Sequence, residues 1–185
     1  MKIICFPFNS CHFYLRPDTA VLRQGSTFYI PEFVSQVEGS LALVVKINRL
    51  GRHIAPRFAH RYYSETALGF CLYAADILQK NRMEGLPWGE ACSFDYSAPL
   101  SDSFRPILDF PLNGSLFLWN SATQTWSGAL EEERIHSMVA YLSQYIFLKM
   151  GDQIWFELHP PVPIKSGEEV RAFRGNEEEL RFAVE

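Results

Sequence analysis

A chain of 185 residues with a net charge of −4 is long enough for one domain with a real core and too short for two of ordinary size. Its 48% apolar and 21% charged residues match soluble globular proteins and exclude a disordered, collagenous or coiled-coil chain. The Lys and Arg residues are scattered, with no basic run to neutralise a row of phosphates, so nucleic acid is not an expected partner.

The apolar start Met1 to Phe8 is interrupted at Pro7, and no stretch approaches the roughly eighteen apolar residues of a membrane span. No membrane association is therefore expected, and the cytoplasm is the expected compartment. Cys5, Cys11, Cys71 and Cys92 form no C-x-x-C pair and are expected to be ordinary packed or half-packed thiols.

Residues 1–35 read as short extended pieces broken by Pro7, Pro17, Gly25 and Pro31. Residues 40–48 are a continuous apolar, β-branched run ending at Leu50-Gly51, which predicts a buried strand. From Pro56 to Tyr63 the pattern is helical, with Pro56 in the first turn, where its missing N–H costs nothing. Thr66 to Leu72 is strand-like and passes through Ala74-Ala75-Asp76 into a helix ending near Arg82, with Asp76 as the expected N-cap. Residues 93–99 hold too many turn formers for regular structure.

A strand over Ser115 to Asn120, a turn over residues 120–125 and a return strand from Trp126 predict a hairpin. The clearest helix follows. Glu131, Glu132 and Glu133 complement its positive end, Ile135, Met138, Val139, Leu142, Tyr145 and Ile146 recur at helical spacing, and Gly151 is expected to end it. Strands are predicted over residues 153–158, 168–174 and 180–184. The run Glu177-Glu178-Glu179 falls in a hairpin turn beside Gly175-Asn176 and, like Glu131 to Glu133, reads as solvated surface. The sum is a single domain over residues 1–185, α+β and mostly β, with two or three peripheral helices.

The run Phe13-Tyr14-Leu15-Arg16-Pro17-Asp18-Thr19-Ala20-Val21-Leu22 resembles the Phe-x-Lys-Pro-x-Thr-Ala-Leu segment of the fumarylacetoacetate hydrolase family. Further blocks follow in that family's order: Leu43 to Ile47, Phe58 to Tyr63, Leu86-Pro87-Trp88 with Phe94 to Pro99, and Ile135 to Tyr145 with Leu148 to Ile154. The resemblance spans nearly the whole chain and is closest to the acylpyruvase and hydroxyhepta-diene-dioate isomerase branch. It implies a mixed β-sandwich or roll with peripheral helices, assembled as a homodimer. It also implies hydrolysis, isomerisation or decarboxylation of keto-acids chelated through a pyruvoyl-like group to Mg²⁺ or Mn²⁺.

The resemblance places the family's Glu-x-Glu metal ligands at Ser40 and Ala42, and its ligand Asp at Cys71. On a strand, positions i and i+2 share one face about 7 Å apart, so two carboxylates there would converge on a hard cation. A serine, an alanine and a thiol offer Mg²⁺ no charge to offset its dehydration. Glu38, on the same strand face, could supply one carboxylate. The family's substrate-facing Arg and Lys fall on Ala75 and Cys92, while Asp76 is kept; the "x-F-D" aspartate is Asp95. His12 is the candidate stand-in for the missing lid's acid and base. The Gly-Thr-Pro-x-Gly loop becomes Glu157-Leu158-His159-Pro160-Pro161, prolines replacing glycines.

These substitutions lead to the expectation of a non-catalytic paralogue with no metal cofactor. Its remodelled cleft would comprise Glu38, Ser40, Ala42, Cys71, Ala75, Asp76, Cys92, Asp95 and His159 and would bind a small organic acid or a partner, or the chain would serve to pair with an active relative. The alternative is a hydrolase or isomerase of keto-acids working by a changed mechanism, for instance through Cys92 or Cys71 paired with His12 or His159.

Overall fold

The computed structural model describes residues 1–107, 112–119 and 125–185. In chain order its strands are β1 (Ile3–Phe6), β2 (Tyr14–Arg16), β3 (Val21–Arg23), β4 (Thr27–Phe28), β5 (Val37–Ile47), β6 (Tyr63–Ala74), β7 (Ala98–Leu100), β8 (Arg105–Pro106), β9 (Asn113–Trp119), β10 (Thr125–Ala129), β11 (Gln153–Glu157), β12 (Val162–Ile164), β13 (Glu169–Arg174) and β14 (Glu177–Val184). The α-helices are α1 (Ala75–Glu84), α2 (Gly89–Cys92) and α3 (Glu132–Tyr145). No helix among the described residues is long and apolar enough to cross a membrane.

A nine-stranded sheet runs β2-β1-β11-β5-β6-β7-β3, with β12 also on β5 and β8 on β6; a five-stranded sheet runs β10-β9-β13-β14-β4. This is the mostly β architecture with few helices that the sequence predicts. The long β5–β6 pair forms the centre. Both strands are buried on both faces, which is why residues 40–48 read as a continuous apolar run rather than an alternating one.

Alternation sorts the central strands onto two cores. Leu41, Leu43, Val45, Leu68, Phe70, Ile154 and Phe156 face the larger one, with Val170, Leu180 and Phe182 of the second sheet and Ile135, Val139 and Leu142 of α3. Ala42, Val44, Ala67, Cys71, Tyr73, Trp155, Ile3 and Cys5 face the other, which α1 and α2 close through Leu78, Ala91 and Cys92. Trp155 occupies the middle of this second face. It lies so close over Gly69 that a Cβ there would come within 2.4 Å of the indole ring. At the sheet end, Asp152 accepts from Lys2 N–H at 2.9 Å and pairs with Lys2 Nζ at 2.6 Å, tying β1 to β11.

The helical turn expected from Pro56 is present, as a 3₁₀ helix over Pro56–Arg61. Three expectations are corrected. Helix α3 stops at Tyr145 because Leu148 leaves to bridge Gly51, so Gly151 (φ +88°) turns the chain into β11 instead of capping the helix. Asp76 is not the N-cap of α1; Ala74 is, and Asp76 Oδ2 accepts from Ser35 N–H at 3.0 Å and Ser35 Oγ at 2.5 Å. Glu179 is not solvated: its side chain is fully buried against Arg174 (3.1 Å) and Arg105 (3.2 Å). Glu131, Glu132 and Glu133 are exposed as expected. The expected turn over residues 120–125 falls mostly outside the described residues.

Candidate active site

The antiparallel register of β5 with β6 sets Ser40 opposite Cys71 and Glu38 opposite Tyr73, and that of β11 with β5 sets Glu157 opposite Ala42. All six therefore share one face of the sheet. The positions that lost their carboxylates are adjoined by a carboxylate from the neighbouring strand. Because Ala42 carries only a methyl group, Glu157 can reach across β5 to groups on β6.

Glu157 is 5% exposed. Its Oε1 accepts the Tyr73 hydroxyl and its Oε2 accepts Phe8 N–H at 3.2 Å. Burial nevertheless dominates and pushes its carboxyl up to about 7, against the pull of those donors and of the Arg16 charge. Beyond Tyr73 the chain of hydrogen bonds continues. The Tyr73 and Tyr14 hydroxyls lie 2.9 Å apart, and Arg16 Nη2 donates to Tyr14 Oη at 2.9 Å and to Leu72 O at 3.0 Å. Arg16 Nη1 donates to Ser97 O and Ser97 Oγ, both at 2.7 Å. Burial holds both tyrosines well above the ordinary phenol range, so they stay neutral donors.

Glu157 also forms part of the wall of a cavity of ≈ 300 Å³. The loop after β1 contributes Phe8 and Asn9, the stretch from β10 to α3 contributes Ala129, Leu130, Glu131 and Arg134, and Leu158 follows Glu157. The β10 hairpin approaches this wall closely: a Cβ on Gly128 would lie 2.3 Å from Leu158 O. Asn9 adopts φ +55°, a left-handed conformation that asparagine tolerates better than most residues, and this turn points Phe8 N–H at the carboxylate.

The residues singled out from sequence disperse. Ser40, Ala42, Cys71 and Cys92 are fully buried beside the Glu157–Arg16 chain. Glu38 and Ala75 line a separate cavity of ≈ 270 Å³ with Gln36, Leu78, Gln79, Arg82 and Met83. Asp95 is exposed and accepts Thr19 Oγ1 at 2.6 Å. His12 is exposed, its backbone held by Ser10 Oγ. His159 is buried but committed: Nε2 accepts Leu41 N–H at 3.0 Å, and Nδ1 lies 2.6 Å from Pro160 O. Neither cysteine is prepared for nucleophilic work. Burial pushes Cys92 up to about 12 and holds Cys71 well above the ordinary thiol range.

The resemblance implies a divalent cation, and the residues at its three positions do not fit one. Ser40 Oγ is spent on His159 O at 2.6 Å, Ala42 has no donor atom and Cys71 is a soft, protonated thiol. Among the described residues no three His, Cys, Asp or Glu side chains gather to hold a metal.

Comparison with known proteins defines the class. No protein-family model matches the chain. Oxaloacetate tautomerase FAHD1, mitochondrial, of Pongo abelii is 30% identical over 181 residues, covering 93% of this chain and 80% of the relative. Oxaloacetate tautomerase YcgM of Escherichia coli is 28% identical over 163 residues, covering 85% and 74%. The crystal structure of fumarylpyruvate hydrolase from Pseudomonas aeruginosa in complex with Mn²⁺ and pyruvate superposes with a TM-score of 0.84 over 100% of this chain and 89% of that one, at 19% identity. The chain belongs to the fumarylacetoacetate hydrolase family. The expectation of a non-catalytic paralogue is corrected by these comparisons, because the relatives matching almost the whole chain are named for a catalysed tautomerisation.

Glu157, Tyr73, Tyr14 and Arg16 are the candidate functional residues that sequence reasoning missed. The available signal was a lone glutamate in the otherwise apolar run Ile154-Trp155-Phe156-Glu157-Leu158, where a buried charge needs partners.

Proposed function

We propose that this protein catalyses proton transfer next to the carbonyl of a small 2-keto acid, interconverting its keto and enol forms, with Glu157 as the proton-transferring group. Oxaloacetate, named for the relatives above, is the first substrate to assay. A single observation carries the reading: a buried carboxyl with its pKa near 7 in the wall of a cavity of ≈ 300 Å³. At neutral pH such a group populates both protonation states, which one carboxyl needs if it is to accept a proton and hand it back.

In this mechanism ionised Glu157 removes the proton from C3 of the keto form, the electron pair moves into the C2–C3 bond, and the carbonyl oxygen becomes the enolate oxygen. The same carboxyl, now protonated, returns the proton to that oxygen, so the enol leaves with no net change in atoms or electrons. Tyr73 fixes the orientation of Oε1, and Tyr14 and Arg16 hold Tyr73. No step is routed through a metal. A cytoplasmic location and a homodimer, implied by sequence features and by the family resemblance, are carried forward as parts of the same proposal.

The test is to strip the protein with a chelator, remove the chelator and follow the ultraviolet absorbance of enol-oxaloacetate. Turnover that persists and is unchanged by added Mg²⁺ or Mn²⁺ is the expected result. Turnover that vanishes on stripping and returns with either cation would overturn the mechanism.

A further inference from the structure

We propose that Arg134, aided by Asn9, binds a carboxylate of the substrate remote from the reacting carbon, so that the site selects dicarboxylic over monocarboxylic keto-acids. This substrate choice rests on the reading of Glu157 as the proton-transferring group.

Arg134 lies in the first turn of α3, half-buried, in the wall of the cavity that Glu157 also lines. Its one side-chain hydrogen bond among the described residues is a long one, Nη2 to Ser10 O at 3.3 Å. It makes no ion pair among them, whereas Arg105, Arg171, Arg174 and Arg181 each meet a glutamate. A guanidinium presents a planar fork of five donors matched to a carboxylate, and most of that fork is uncommitted here. Asn9 contributes the neighbouring stretch of wall, and its amide is a second donor type suited to the same anion.

The cavity is at the small end of ligand sites, which favours a compact acid over an extended one. With the reacting carbon at Glu157, a second carboxylate a few bonds away reaches the Arg134 side of the same space. Glu131, the other charged group of the wall, is exposed at the helix start, where water screens it.

Calorimetry with unreactive probes tests this apart from catalysis. Malonate and propanoate are titrated into the wild-type protein, Arg134→Gln, Arg134→Lys and Glu157→Gln, each checked for folding by circular dichroism. The expected result is a preference of about tenfold or more for malonate in the wild type. That preference should be lost in Arg134→Gln, weakened in Arg134→Lys and kept in Glu157→Gln. Equal preference in wild type and Arg134→Gln, or none in the wild type, overturns the proposal. Full turnover of oxaloacetate by Glu157→Gln would instead sink the proton-transfer reading while leaving the malonate preference standing.

Discussion

Glu157 Oε1 accepts the hydroxyl of Tyr73, so a carboxylate on β11 and a phenol on β6 meet diagonally across β5, the strand between them. Replacing Tyr73 by Phe removes a donor that favours the ionised carboxylate, and the Glu157 pKa should climb above its present value near 7. The ascending limb of the pH–rate profile should therefore move to higher pH. A buried oxygen left unpaired should also cost about 1–3 kcal/mol of stability. Rate profiles and urea titrations of Tyr73→Phe measure the two effects separately.

The same carboxyl makes stability depend on pH. Its folded pKa of about 7 exceeds the ordinary 4.5, so the native state binds this proton more tightly than the unfolded chain. The stabilisation is fully present below pH 4.5 and is lost as the pH rises through 7, amounting to something on the order of 3 kcal/mol. Urea unfolding of wild type and Glu157→Gln from pH 4 to pH 8 isolates this contribution. The wild type should lose stability relative to the variant across that window, and parallel curves would contradict the assigned shift.

Arg16 is 2% exposed and donates to Ser97, Leu72 and Tyr14. Arg16→Ala leaves those acceptors buried without a donor and should cost about 3–5 kcal/mol. Arg16→Lys keeps the charge but cannot reproduce the fork, so its loss should fall between the two. Denaturant midpoints rank the three proteins.

Close packing above β6 gives an independent check on the second core face. A Cβ on Gly69 would stand 2.4 Å from the Trp155 ring, and Trp155 is fixed by its indole N–H donating to Gln153 Oε1 at 3.0 Å. Gly69→Ala should cost about 1–3 kcal/mol through overpacking and change the tryptophan fluorescence. A neutral substitution would mean that the indole does not lie over β6.

Thiol chemistry distinguishes the proposed mechanism from a cysteine-based one. Cys11 is exposed, whereas Cys5, Cys71 and Cys92 are buried, so a thiol reagent should titrate Cys11 alone in the native protein and the others only after denaturation. Cys92→Ser should keep turnover. Rapid labelling of Cys92 with parallel loss of activity would indicate an activated thiol.

Much of the fold was legible because it rests on patterns local to the chain. The apolar run at 40–48 and the helical spacing from Ile135 to Ile146 mark β5 and α3 directly. The end of α3 was not legible, since Leu148 leaves the helix to bridge Gly51 far away in sequence. The same limit governed the site. Loss of the carboxylates at Ser40, Ala42 and Cys71 can be read position by position, but the arrival of Glu157 beside them depends on β11 pairing with β5. Glu179 followed the same course: it read as a turn residue until tertiary pairing brought Arg174 and Arg105 to it.

The most direct measurement is the rate of enol-to-keto conversion of oxaloacetate by Glu157→Gln beside the wild type, across pH 5 to 9. The account predicts that the wild-type rate rises with an apparent pKa near 7 and that the variant, still folded, is slower by a factor of about 100 or more at every pH. A variant matching the wild type in both rate and pH profile would contradict it.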